Sequence, residues 1–273
     1  MSYKQCLHIH TNYCDGKDTP EEMVLAAIEK GFDSIGFSGH SYVDVFNDFS
    51  MNDETVAAYR REIAELKEKY ADKIKIYCGL EKDNYTTTDT TGFDYLLGAV
   101  HCMKKGDEVL FIDWTLEHVK DAIAKHFDGD SIAYARHYFQ AVAELPEYGK
   151  FDILAHYDLL TKFCEIEQII DQDDPEYRKA AIEALETLVG KVAYFEVNTG
   201  AISRGYRTTP YPAPFILKEM KRLGFKPIIT SDCHDKNDLD CGYVLAKDLL
   251  LTAGFEEHYV LMEDGFRAIQ IQD

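Results

Sequence analysis

Long apolar runs are missing from this chain, and none approaches the roughly 20 residues needed to span a bilayer. Positive charge is scarce: 29 lysines and arginines stand against 49 aspartates and glutamates, for a net charge of −20. That balance excludes a general basic surface for nucleic acid or an anionic membrane. No CxxC pair occurs, and the seven cysteines are odd in number. With no N-terminal signal peptide to be read, a reducing cytoplasm is the expected setting. Low-complexity stretches and linkers rich in Pro, Gly or Ser are also lacking. All 273 residues are therefore expected to form one domain, a length routine for a single α/β barrel.

What the chain does have is seven apolar runs, each ending on a metal-ligand type of residue. They are Cys6 to His10, Ile35 to Phe37 ending at His40, Ile74 to Cys78 ending at Glu81, and Tyr95 to Val100 ending at His101. Ile153 to Ala155 ends at His156, Tyr194 to Val197 at Asn198, and Ile228 to Thr230 at Asp232 and His234. Helical patterns lie between them. Thr19-Pro20-Glu21-Glu22 is an N-cap, a first-turn proline and acids set against the helix dipole, and Gly31 is a stop. Further helices are expected from Asp53 to about Tyr70, over 115–127, 131–145, 175–189, 212–223 and 243–253, with a short strand near 259–262. Near-continuous apolar strands alternating with helices imply a parallel sheet covered on both sides. Polar tips on almost every strand favour a barrel, since an open sheet would concentrate its site at one switch point.

In a strand, residues two apart share a face, so His8 and His10 can reach one ion, as can Asp232 and His234. Asp15 lies in a turn-forming stretch after the first strand. Glu81, buried at a strand end, needs a partner. Together His8, His10, Asp15, His40, Glu81, His101, His156, Asp232 and His234 point to a polynuclear metal site at the C-terminal ends of the strands. Any one of these histidines alone would read as a hydrogen-bonded core residue; nine ligand-type residues at strand tips do not. His118, His126 and His137 fall within helices and His258 in the tail, so they are read as non-ligands. Cys102 and Cys233 should face away from the mouth, and Cys14 is left out of the ligand set.

The order HxH, Asp, Gly-His, Glu, His, His, DxH along an α/β chain resembles the PHP superfamily, named for polymerase and histidinol-phosphate phosphatase. Ala155-His156-Tyr157-Asp158-Leu159, Phe195-Glu196-Val197-Asn198-Thr199-Gly200, and Arg204-Gly205 leading to Tyr211-Pro212 are similar to its monofunctional histidinol-phosphate phosphatases. The resemblance spans about residues 6 to 243. It implies a distorted (β/α)7 barrel with a trinuclear site for zinc, manganese or iron. By that resemblance His8, His10, Glu81 and Asp232 hold one ion, and Glu81 bridges to a second on His101 and His156. Asp15, His40 and His234 hold the third. Where some relatives carry further acid-base groups, this chain reads Gly16-Lys17-Asp18 and Ser41-Tyr42, and the proton donor stays unassigned between them.

The implied activity is hydrolysis of L-histidinol phosphate, a step of histidine synthesis, with Glu81, Asp232 and His234 at the catalytic centre. Three divalent ions would outweigh the three carboxylates and leave a positive pocket in an acidic protein. A water activated by the ions would attack phosphorus in line. Arg204, after the sixth strand, is the first choice for a phosphate contact because guanidinium offers a bidentate fork, with Lys162 and Arg207 as further candidates. Asp113 and Trp114 could meet the imidazole and amine of the substrate. Two other readings remain: a phosphoesterase for another small ester such as a nucleotide, and a metal-binding barrel without turnover. Amidohydrolase-like barrels also use HxH and a late aspartate, but with a bridging lysine where this chain offers Glu81.

Overall fold

A strand that is apolar on both faces has to be covered on both, and seven such strands pair side by side in this chain. The computed structural model describes residues 3–46 and 49–272. The strands are β1 (Gln5–Cys6), β2 (Ser34–Phe37), β3 (Lys75–Asp83), β4 (Tyr95–Ala99), β5 (Cys102–Lys105), β6 (Glu108–Phe111), β7 (Ile153–Leu154), β8 (Tyr194–Asn198) and β9 (Lys226–Thr230). All but β5 and β6 form one parallel sheet in the order β1-β2-β3-β4-β7-β8-β9. Its two ends meet just past β1 and β9 through a parallel bridge, Ile9 to Cys233. There the His10 N–H donates to the Cys233 carbonyl at 2.8 Å and the Cys233 N–H to the His8 carbonyl at 3.1 Å. The sheet is thus a nearly closed α/β barrel, as the polar strand tips predicted.

Helices α1 (Pro20–Glu29), α2 (Asp53–Lys69), α3 (Leu116–His126), α4 (Ser131–Glu144), α5 (Pro175–Leu188), α6 (Gly200–Ser203), α7 (Pro214–Leu223) and α8 (Tyr243–Thr252) follow the strands. The expected Thr19 N-cap starts α1, and the structure makes it a capping box: Glu22 N–H to Thr19 Oγ1 at 3.3 Å, and Thr19 N–H to Glu22 Oε2 at 3.0 Å. The barrel interior is filled by Leu7, Tyr77, Tyr95, Leu97, Ile153 and Ile228. Tyr95 needs the room that Gly79 leaves, because a Cβ there would lie 2.3 Å from the tyrosine ring. Among the described residues, no helix is long and apolar enough to cross a membrane.

Two hairpins were not foreseen. Antiparallel β5 and β6 follow His101 directly; the strands are four residues each and half exposed, too short for alternation to register. The tail strand expected near 259–262 is β10 (Glu257–Met262), paired with β11 (Gly265–Gln270). It closes the end of the barrel opposite the strand tips: Gln5 Nε2 donates to the Leu261 carbonyl at 2.9 Å, and Leu261 N–H to Gln5 Oε1 at 2.7 Å.

This tail carries a pH dependence. His258 on β10 is 8% exposed, and burial pushes its pKa down from 6.5 to about 4, with Lys247 adding to the shift. The unfolded chain therefore binds the proton that the folded chain refuses. Stability from this group is present above pH 6.5 and lost as pH falls towards 4, by on the order of 3 kcal/mol. Denaturant unfolding of wild type and His258→Phe across this window should show the gap between them change by roughly that amount. An unchanging gap would contradict it.

Candidate metal centre

All the predicted ligands but Asp15, which lies in the turn of residues 12–15, sit just beyond, or near the end of, a barrel strand, where alternation turns them into the mouth. His8 and His10 follow β1 with ring centroids 5.0 Å apart. His40 follows β2 and bridges to Glu81 on β3. His101 follows β4, His156 follows β7, and Asp232 and His234 follow β9. Asp232 has φ +45°, a left-handed conformation that aspartate tolerates better than most residues. Gly200 makes room for it, since a Cβ there would stand 2.7 Å from Asp232 Cβ.

Five of the other eight side chains converge on Glu81, which is 1% exposed. Its Oε2 lies 2.9 Å from His40 Nδ1, 3.4 Å from His8 Nε2 and 3.5 Å from His10 Nε2. Its Oε1 lies 2.9 Å from His156 Nε2 and 3.4 Å from His101 Nε2. Asp232 Oδ1 is 3.3 Å from His10 Nε2 and 3.6 Å from His8 Nε2. Asp15 reaches His234 Nε2 at 3.1 Å, His10 Nδ1 at 3.3 Å and His40 Nε2 at 3.6 Å. Among the described residues, ligand atoms close enough to share an ion fall into three groups: His8, His10 and Asp232; His10, Asp15, His40 and His234; and His40, Glu81 and His101. The three overlap because His10 and His40 each belong to two.

Divalent cations fit this donor set. His8 Nε2, His10 Nε2, Glu81 Oε2 and His156 Nδ1 are buried polar atoms with no hydrogen-bond partner among the described residues, an expensive arrangement unless something else binds them. Burial pushes the Glu81 carboxyl up, but His8, His101 and His40 hold it well below the usual range. Burial likewise opposes charge on Asp232, and Arg204 and His8 outweigh it. Burial opposes the protonated form of His8, yet Glu196, Asp232 and Glu81 raise its pKa well above 6.5. Cation binding to such imidazoles would release protons.

Around this cluster the candidate substrate contacts separate. Arg204 stays at the site: Nη2 donates to Asp232 Oδ2 and Nη1 to the Asp232 carbonyl, both at 3.0 Å, with Nη1 2.8 Å from His234 Nδ1. Lys162 Nζ donates to Asp113 Oδ2 at 3.1 Å and to the Asp113 carbonyl at 2.7 Å. A cleft of about 240 Å³ is lined by Asp15, His40 and His101 together with Asp113, Trp114, Lys162, Phe49 and Phe111. Arg207 is buried in a loop instead, bonded to Thr161 and Thr209 and stacked over the Tyr211 ring at 4.5 Å. Asp18 is tied to Lys236, Oδ1 to Nζ at 2.9 Å and Oδ2 to the backbone N–H at 2.8 Å, and Tyr42 N–H donates to Thr88 Oγ1; neither lines the cleft.

Reading strand tips alone overlooked two carboxylates. Asp83 lies two residues past Glu81 and accepts a hydrogen bond from His101 Nδ1 at 2.9 Å. Glu196 lies two residues before Asn198 and accepts one from His8 Nδ1 at 2.9 Å. Strand parity is the signal that could have found both. Cys233 turns from the mouth as expected, its thiol donating to the Asp235 carbonyl.

Residues 7–200 match the PHP domain family. The chain belongs to that family. Asp232 and His234 lie beyond the matched segment, and it is the fold that brings them to the other candidate ligands. Histidinol-phosphatase of Bacillus subtilis is 25% identical over 259 residues, covering 86% of this PHP chain and 95% of that protein. Histidinol-phosphatase of Lactococcus lactis is 25% identical over 267 residues, 92% of this chain and 91% of the other. A crystal structure of histidinol phosphate phosphatase from Lactococcus lactis, complexed with zinc, L-histidinol and phosphate, has the same fold. The TM-score is 0.74 at 24% identity, over 97% of this chain and 98% of that one.

Proposed function

We propose that this PHP protein is a metal-dependent phosphoric monoester hydrolase that converts L-histidinol phosphate to L-histidinol and orthophosphate. The observation that carries the reading is Glu81, an enclosed carboxylate with five imidazoles within 3.5 Å, those of His8, His10, His40, His101 and His156. Full-length relatives named histidinol-phosphatase support the substrate.

Three cations are proposed: one on His8, His10, Glu81 and Asp232, one on Glu81, His101 and His156, and one on Asp15, His40 and His234. Zinc, manganese and iron all suit imidazole with carboxylate. Such ions supply a strong nucleophile at neutral pH by lowering the pKa of a bound water to about 7, and they polarise phosphoryl oxygens. The protein's own part is positioning. Arg204 holds Asp232 and keeps Nε, buried and without a partner among the described residues, as a spare donor beside the site. Lys162 brings a second cationic donor to the cleft. Trp114, 44% exposed and flanked edge-on by Phe111 at 4.9 Å and Phe49 at 5.4 Å, offers an aromatic wall suited to a flat, partly cationic imidazole.

The test is phosphate release from a panel of esters by protein purified without chelators, with its bound metals measured. Histidinol phosphate should be the preferred substrate, with activity abolished by chelation and restored by zinc, manganese or iron. Better turnover of nucleotides or aliphatic esters would overturn the substrate. Bound cations without any turnover would leave a metal-binding barrel.

A further inference from the structure

Glu196 is an acid in the middle of an otherwise apolar stretch of β8, and it is 1% exposed. A carboxylate so placed costs several kcal/mol unless it is bonded on all sides. Four donors surround it. Oε2 accepts from His8 Nδ1 at 2.9 Å and from Thr230 Oγ1 at 2.8 Å. Oε1 accepts from the His156 backbone N–H and from Asn198 Nδ2, each at 2.7 Å. These donors come from the ends of β1, β7, β8 and β9, so one side chain joins the tips of four strands.

A carboxylate only accepts, so in the neutral imidazole, the form that can bind a cation, the His8 proton sits on Nδ1 and the lone pair is left on Nε2. His8 Nε2 is the atom that faces Glu81 Oε2 at 3.4 Å and Asp232 Oδ1 at 3.6 Å, and it has no hydrogen-bond partner. We infer that Glu196 is a positioning residue that fixes the tautomer and ring angle of His8, and through it the affinity of the ion held by His8, His10 and Asp232. This rests on the metal-site reading above and is independent of which ester is hydrolysed.

Charge alone would be a weaker role than this, and the network shows why. Asn198 cannot turn its amide, because its Oδ1 already accepts from Gly200 N–H at 2.9 Å. In Glu196→Gln the amide oxygen must therefore stay opposite His156 N–H and Asn198 Nδ2. Its NH2 would then face His8 and Thr230. The Thr230 hydroxyl can rotate to accept, but His8 can accept only by moving its proton to Nε2, which removes the ligand lone pair. Thr230→Val takes away one donor and leaves the acceptor for His8 in place.

The experiment uses the full chain and zinc. Zinc stoichiometry and affinity are measured by chelator competition, and nitrogen–proton NMR of the zinc-loaded protein reads the His8 tautomer. Wild type and Thr230→Val should both show His8 protonated on Nδ1. Glu196→Gln should remain folded by circular dichroism, lose affinity for one zinc by about 10- to 100-fold, and show His8 protonated on Nε2. Wild-type affinity in Glu196→Gln with the Nδ1 tautomer kept would overturn the inference while leaving the metal site standing. A wild-type chain that binds no zinc, manganese or iron would overturn the metal site, and this inference with it. Should Glu196→Gln not fold, the wild-type spectrum decides, since a proton on His8 Nε2 there excludes the role.

Discussion

Glu81→Gln should lower phosphate release by at least about 10²- to 10³-fold, the range ordinarily lost with one electrostatic contact of a catalytic site. The substitution keeps shape and removes one charge. Glu81 offers both oxygens to different imidazoles, Oε2 to His8, His10 and His40 and Oε1 to His101 and His156. An amide can accept through only one of the two positions, and its NH2 would point at imidazole nitrogens that are needed as ligands. The loss should therefore appear in metal content as well as in kcat, with circular dichroism unchanged. Near-normal turnover with a full complement of bound metal would contradict the role given to Glu81.

Asp232→Asn should be almost as damaging, for a different reason. Backbone strain is not at issue, because asparagine also tolerates φ near +45°. What changes is the link between the proposed cation site and Arg204. Asp232 presents Oδ1 to His8 and His10 and Oδ2 to Arg204 at 3.0 Å. The neutral amide weakens both sides, so kcat should fall by about 10²-fold or more and KM should rise as Arg204 loses its anchor. A change confined to KM would show that Asp232 serves only to hold the arginine.

Much of this site was legible because β-strands repeat every two residues. HxH and DxH announce shared faces, and the polar ends of apolar runs announce the mouth of a barrel. The same rule would have found Asp83 and Glu196, but attention to strand tips alone passed over them. The division of ligands among ions was less legible. The family pattern assigns His40 to the group of Asp15 and His234, whereas its Nδ1 also lies 2.9 Å from Glu81 Oε2. That proximity depends on the pairing of one strand end with the next, through the bridge of His40 to Glu81, which spacing along the chain does not encode. Arg204 and Arg207 look equivalent in sequence, three residues apart. The turn through Gly205, φ +74°, separates them, and Arg207 ends against Thr161.

The bridge between Ile9 and Cys233 joins the opening histidine pair to the closing Asp232 and His234, and those two pairs face one another across the candidate metal site. Cations bound there would rivet the first stave of the barrel to the last, at a seam where the backbone ladder is thinnest. Occupancy would then add stability by mass action, about 2.7 kcal/mol when the free ion stands a hundredfold above its Kd. Starved of metal, the protein would lose its reactivity and the hoop around its walls together.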